Sequence, residues 1–240
     1  MHEEILRAQE DNSLTLNYNK WMFDAIRPYI NNRVLDVGAG MGNFLPYLAD
    51  KEILVNIEIL DIFIDALRNS YGTYKNIHIL KYDIQDEKVI SVGREYGIQT
   101  VICNNVLEHV QDDAKALRNI NSILDKRGNL ILILPAFKFL YSKWDKAVGH
   151  FRRYDLKDIA KKLSQAEFYI ETKFYMNGLG LFAWFLNGRV LGNTPNTSGF
   201  VRKQAVFFDR YLVNYLRKFE GIFHPPFGQS LLIVARPMRA

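Results

Sequence analysis

A short apolar run, Arg33-Val34-Leu35-Asp36-Val37, leads without a break into Gly38-Ala39-Gly40-Met41-Gly42-Asn43. The run has the length and composition of a strand buried on both faces. The alternate glycines let the backbone turn sharply and approach a ligand with no Cβ in the way. A helix read over residues 43–49 would present amide donors and a positive dipole end to whatever lies in the turn. A dinucleotide fingerprint needs the pattern GxGxxG. Here residue 43 is Asn and the third glycine falls one position early, which turns the reading away from nicotinamide and flavin cofactors.

The pattern repeats downstream. Apolar strands are expected at 53–57, 77–80, 100–103 and 130–134, separated by helices at 61–69 and 112–124, with Gly128 placed where a helix-ending glycine belongs. An amphipathic helix over 18–30 precedes them. Continuous apolar strands alternating with helices imply a mostly parallel sheet covered on both faces, with ligands bound beyond the carboxyl ends of its strands. After Pro135 the pattern changes to a helix at 155–163, a strand at 168–175, a long aromatic-rich excursion and a last strand at 231–235. The expectation is a single α/β domain over 1–240, with a helical cap over 1–31 and a helical lid over 177–227.

Composition narrows the class. The chain has 240 residues, 48% hydrophobic and 24% charged, as expected of a globular domain with a real core. Its single cysteine, Cys103, precludes an internal disulfide and sits in an apolar run, where it reads as core packing. No stretch approaches the ~20 apolar residues of a membrane span, and residues 1–10 carry no apolar signal region, so a cytoplasmic location is expected. A formal charge of +5 permits an anionic acceptor or membrane surface but is too small to argue for nucleic acid.

Three acids follow the strands in order. Asp36 is in the first, Glu58 ends the second, where a carboxylate can accept both hydroxyls of a ribose, and Asp83 follows the third, where an acid can accept an adenine amino hydrogen. Asn104 and Asn105 end the fourth strand and face the same crevice. On these residues the chain resembles the class I S-adenosylmethionine-dependent methyltransferases. VLDVGAGMGNF resembles their first motif, Glu58 in EILDIFIDALR their ribose-binding acid, and Asp83 their adenine-site acid. NNVLEHVQDD with LRNINSILDKRGNLILILP resembles their fourth-strand, helix and fifth-strand block, although Arg127 stands where a proline is usual. The resemblance implies a doubly wound, mostly parallel seven-stranded Rossmann-like sheet with a helical lid inserted before the last strand. It implies S-adenosyl-L-methionine held by Asp36, Gly38, Ala39, Gly40, Asn43, Glu58, Ile59, Asp83, Ile84 and Asn104, with Tyr18 and Trp21 closing over the methionine end. The enzyme then transfers a methyl group by in-line displacement to an aligned nucleophile; a hydroxyl also needs a base.

His109, in Leu107-Glu108-His109, and His150, in Gly149-His150-Phe151-Arg152-Arg153-Tyr154, are the candidate bases, with Glu108 and Asp145 as possible partners. Arg152, Arg153 and Tyr154 are candidates for binding the acceptor, since arginine forks suit phosphate and carboxylate. No His and acid cluster has metal-ligand spacing, so no metal is expected. GHFRRY, the apolar excursion and PPFGQSLLIVAR resemble methyltransferases of bacterial glycan and cell-surface biosynthesis. The expected reaction is methylation of a hydroxyl on a small or glycan- or lipid-linked acceptor, with membrane-surface contact through the lid. N-methylation, a quinone-type acceptor, and a non-catalytic cofactor-binding protein are the alternatives. Asn104-Asn105-Val106-Leu107 departs from the Asn/Asp-Pro-Pro-Tyr pattern of base-amine methylation, so no nucleic-acid partner is expected.

Overall fold

The computed structural model of the protein describes residues 2–192, 199–223 and 225–238. Met1, 193–198 and 224 belong to the expected cap and lid but lie outside the described residues, as do 239–240.

Seven strands, β1 (Arg33–Val37), β2 (Ile53–Glu58), β3 (Ile77–Lys81), β4 (Thr100–Asn104), β5 (Asn129–Pro135), β6 (Phe168–Met176) and β7 (Ser230–Pro237), form one sheet. Their order is β3-β2-β1-β4-β5-β7-β6, and β7 runs antiparallel to both of its neighbours while the other pairings are parallel. Helices α1 (His2–Ser13) and α2 (Leu16–Ile26) precede β1. The next connections carry α3 (Leu45–Leu48), α4 (Asp61–Tyr71), α5 (Ile90–Tyr96) and α6 (Asp113–Ile123). Between β5 and β6 lie α7 (Lys143–Ala147) and α8 (Leu156–Gln165). Between β6 and β7 lie α9 (Gly178–Trp184), a π-helical turn (Phe185–Val190), α10 (Gly199–Tyr211) and α11 (Val213–Ile222).

Strand alternation divides the core. Val34, Leu54, Ile102, Ile131, Leu232 and Val234 face α2, α3 and α11 through Trp21, Phe23, Leu45 and Val213. Their neighbours Leu35, Val55, Val101, Leu130 and Ile233 face α5, α6 and α8 through Val92, Leu117, Ile120 and Ile159. With apolar partners on both faces, each such side chain contributes roughly 1.5–3 kcal/mol of burial, which is why these strands read as unbroken apolar runs.

Two helices differ from expectation for local reasons. The helix expected over 18–30 stops at Ile26, and a 3₁₀ turn over Arg27–Tyr29 follows. Pro28 has no amide hydrogen to continue the ladder. The helix expected over 43–49 shrinks to α3, because Gly40 and Gly42 at φ +55° and +78° keep the chain in turns as far as Phe44. The Gly38 and Gly42 amides donate within the protein, to the Ile57 and Ala39 carbonyls (2.8 and 2.9 Å), so no long helix end faces the turn.

Buried carboxylates pin the inserted helices. Asp209 in α10 accepts hydrogen bonds from the Asn17 and Tyr18 amides (3.2 and 2.7 Å), capping α2 from another element. Glu220 in α11 accepts from the Asn177 and Gly178 amides (2.9 Å each) at the head of α9. Among the described residues no helix is long and apolar enough to cross a membrane.

Candidate active site

The sheet order changes direction between β1 and β4, and the crevice lies beyond their carboxyl ends. It is lined by Gln9, Asp36, Gly38, Ala39, Asn43, Phe44, Asn104 and Asn105. Gly38, Gly40 and Gly42 all have positive φ, a region that any side chain would strain. A Cβ on Gly38 would also meet Val106 Cγ2 at 2.8 Å, and one on Gly40 would meet Gln9 Oε1 at 2.9 Å. Glu58 closes the turn: its Oε2 accepts from the Gly40 amide (3.0 Å) and its Oε1 from the Ile59 and Leu60 amides (2.7 and 3.2 Å). Asp36 is buried, and burial followed by the nearby Glu58 charge pushes its carboxyl up to about 7. Asp83, exposed after β3, accepts from the Gln85 amide (2.8 Å). The carbonyl of buried Ile84 accepts from Asn119 Nδ2 (2.8 Å), and Asn104 Oδ1 accepts from Asn105 Nδ2 (3.0 Å). Ile59 is exposed.

These groups suit S-adenosyl-L-methionine. It offers a sulfonium and an ammonium, both cationic, a ribose diol and an adenine amine. Oxygen acceptors stand at the ends of β1, β2, β3 and β4, and a Cβ-free turn lies between them. Gln9 of α1 was missed from the sequence, because nothing in its neighbourhood signals that α1 folds back over Gly40. Tyr18 and Trp21 are not among the residues that line the crevice. The Tyr18 hydroxyl lies 3.3 Å from Ser230 Oγ at the start of β7, and Trp21 is buried in the core. The Asp209 cap on α2 holds both on that side.

A second group of side chains adjoins the turn through Val106, whose side chain abuts Gly38 and whose carbonyl accepts the His109 amide (2.9 Å). The 3₁₀ turn Leu107–His109 carries Glu108 and His109, and the loop after α7 carries His150. The two imidazole rings meet edge to face at 83°, their centroids 4.5 Å apart. His150 Nδ1 lies 2.9 Å from Asp145 Oδ1, and its Nε2 lies 3.9 Å from Glu108 Oε1. Asp145 is buried, yet its bonds to His150 and Arg153 outweigh that burial and hold it below the usual carboxylate range. Burial and the neighbouring His150 push His109 down to about 3, so it is neutral at physiological pH. Burial raises Glu108 to about 7 against the opposing pull of His150. Spacing in the sequence gave no sign of a metal-ligand cluster. The fold nevertheless brings ligand atoms of Glu108, His109 and His150 within 4.8 Å of one another.

Arg152, Arg153 and Tyr154 are turned to the protein instead of to an open acceptor site. Arg152 donates to the Val110 and Gln111 carbonyls (3.0 and 2.8 Å) and pairs with Asp113 (2.9 Å). Arg153 is 2% exposed, donates to Asp145 (2.8 Å) and lies over the Trp184 ring at 4.4 Å. The Tyr154 hydroxyl lies 3.1 Å from the Leu107 carbonyl and 2.9 Å from Asp113 Oδ2. Such buried charges and hydroxyls stay put because their donors are satisfied. Together they brace the histidine-bearing segments.

The strand order and the acid-and-glycine crevice define a Rossmann-like methyltransferase fold. The sequence matches the family described as "Methyltransferase domain" over residues 5–173, and the chain belongs to that family. It carries a methyltransferase domain, and the crevice residues fit S-adenosyl-L-methionine as the donor. It is 28% identical over 143 residues to "Probable polyketide synthase 42" of Dictyostelium discoideum, covering 50% of this chain and 5% of that one. It is 29% identical over 125 residues to a tRNA U34 carboxymethyltransferase of Alteromonas mediterranea, covering 47% of this chain and 36% of that one. The chain thus spans well under half the length of either curated relative. A solved S-adenosylmethionine-dependent methyltransferase from Mesorhizobium loti superposes with a TM-score of 0.59 at 13% identity, over 90% of this chain and 97% of that one, and shares the fold.

Proposed function

We propose that the chain methylates a hydroxyl of a small or glycan- or lipid-linked acceptor, activated at the His109–His150 pair. The observation that carries this reading is the Asp145–His150 hydrogen bond at 2.9 Å beside a neutral His109. Asp145 fixes the ring orientation of His150 and places its Nε2 on the side of Glu108 and His109, a short step from the glycine turn. When bound, the donor supplies an activated methyl on sulfur, and the residues of the chain must orient and activate the nucleophile. In this assignment Glu58 and the Cβ-free glycine turn border the donor, Asp36 and Asn104 face its cationic end, and Asp83 and Ile84 flank its adenine. Arg152, Arg153 and Tyr154 frame the histidines in this assignment.

The lipid-linked option rests on the inserted helices. Phe182, Phe207, Tyr215, Phe219 and Ile222 are all more than half exposed, which is unusual on a water-facing surface. Lys203, Arg210 and Lys218 share these helices with them.

The test uses purified protein, methyl-labelled S-adenosylmethionine and acceptor panels bearing hydroxyls, amines, quinones or activated carbons. Transfer to hydroxyl acceptors is expected, with His150→Ala and His109→Ala each lowering turnover at least tenfold while donor binding is retained. Labelling confined to amines or carbons, or unchanged turnover in both variants, would overturn the hydroxyl assignment. Donor binding without transfer to any acceptor class would favour a cofactor-binding protein.

A further inference from the structure

We propose that Glu108, His109 and His150 form a binding site for a divalent first-row transition-metal ion beside the methyl-transfer crevice. The inference deepens the hydroxyl-methylation reading by saying what occupies the histidine pair.

The first observation is the cluster itself, three ligand-type side chains whose donor atoms lie within 4.8 Å of one another. The second is independent and points to a missing partner. Glu108 is fully buried, and neither of its carboxylate oxygens has a hydrogen-bond partner. A buried carboxyl group without hydrogen-bond partners is costly unless it is protonated or faces a cation, and the two imidazoles beside it make a cation site of the second kind. The nearest guanidinium, Arg153, spends its Nε on Asp145 and its Nη1 on the Ala136 carbonyl.

The histidines are prepared in the same sense. Ligating imidazoles use one nitrogen for the ion and donate the other ring N–H to a carboxylate or carbonyl, which fixes tautomer and orientation. His150 has this arrangement: Nδ1 is on Asp145 at 2.9 Å, and Nε2 lies 3.9 Å from Glu108 Oε1. His109 offers one ring nitrogen to the same cluster, its ring edge to face with that of His150. Metal–nitrogen and metal–oxygen bonds of about 2.0–2.2 Å bring ligand atoms to about 3–3.5 Å of each other, so closing on an ion asks for a contraction of about 1 Å. Two imidazoles and one carboxylate suit zinc, cobalt, iron or manganese, whereas magnesium and calcium prefer all-oxygen shells. Three protein ligands also leave coordination positions open, where an acceptor oxygen would complete the shell.

The test is direct. Full-length protein stripped with a chelator is titrated with cobalt(II), read by its visible ligand-field bands, and with zinc, read by calorimetry. One equivalent is expected to bind. Glu108→Gln, His109→Ala and His150→Ala should each weaken binding at least 100-fold, and Asp145→Asn about tenfold through the orientation of His150. His78→Ala, at a ring that packs at a tilt against Tyr96 elsewhere, should leave it unchanged. S-adenosylmethionine calorimetry on every variant reports folding and tests the donor site separately. Absence of stoichiometric metal binding to the parent protein overturns the proposal, as does binding that survives the cluster substitutions in protein that still binds the donor. Failure of the donor titration alone would sink the methyltransferase reading and leave the metal site standing.

Discussion

Single residues shape the crevice that we assign to the donor. Glu58 holds three backbone amides from two turns at once, so it shapes the crevice before anything enters. Glu58→Ala should weaken S-adenosylmethionine binding by about 10–100-fold, the effect of losing charge-assisted hydrogen bonds worth roughly 1.5–3 kcal/mol. Gly40→Asp should weaken it further, since φ of +55° and a contact at 2.9 Å leave no room for a Cβ. Isothermal titration checks both. Asp36 gives a pH signature. Its unfolded carboxyl titrates at 3.8 and its folded one at about 7, so the native state holds more protons between those values. Stability of the donor-free protein must therefore fall as pH rises through that window, with the loss complete above about 7. Asp36→Asn should be more stable than the parent at about pH 8, by on the order of a few kcal/mol, with the gap closing by about pH 4. Urea denaturation at both pH values measures it, and a gap independent of pH would contradict it. Tyr154→Phe removes a hydroxyl shared by Leu107 and Asp113 and should cost roughly 1–3 kcal/mol of folding stability, read as a lower denaturation midpoint.

At the scale of elements, the strands were legible because each is buried on both faces, and such runs leave a mark in the sequence that needs no partner to be read. Helix ends were less so. Pro28 is visible in the sequence, yet the helical spacing of Trp21, Met22, Ala25 and Ile26 ahead of it does not say where the helix ends. The site divides along the same line. Glu58 and the glycines act through local backbone geometry and could be read from their positions. Arg153 reads as a surface arginine until α7 delivers Asp145, and Glu108 meets His150 only after β5 and its loop have crossed some forty residues of sequence. Asp209 is another contact of this kind, made by α10 with an element far away in the chain. Asp209→Ala should cost about 1–2 kcal/mol, as for a lost N-cap. Hydrogen exchange should quicken at the first amides of α2 before it does so in β1 or β4.

For the whole molecule, the inserted helices carry exposed aromatic side chains, while Asp209 and Glu220 fasten α10 and α11 to the heads of α2 and α9. A firmly held apolar surface suits recruitment of an amphiphilic acceptor better than a loose one, because little order is lost on contact. Phe219→Asp combined with Tyr215→Asp should reduce sedimentation with anionic vesicles severalfold and leave donor affinity unchanged. Unaltered sedimentation would separate these helices from any membrane role.

Gln9 rests against Gly40, and the crevice beneath it holds only about 30 Å³, far below the roughly 300–1,000 Å³ of a ligand site. An occupant of the crevice must therefore displace the Gln9 side chain or the helix that carries it. Were α1 itself to move, its opening would gate exchange of the donor. In stopped flow, the rate of donor association should level off with concentration at the opening rate, and deleting residues 2–13 should restore a linear dependence. Part of the rate of exchange would then be set by a segment outside the sheet whose strand ends form the rest of the crevice.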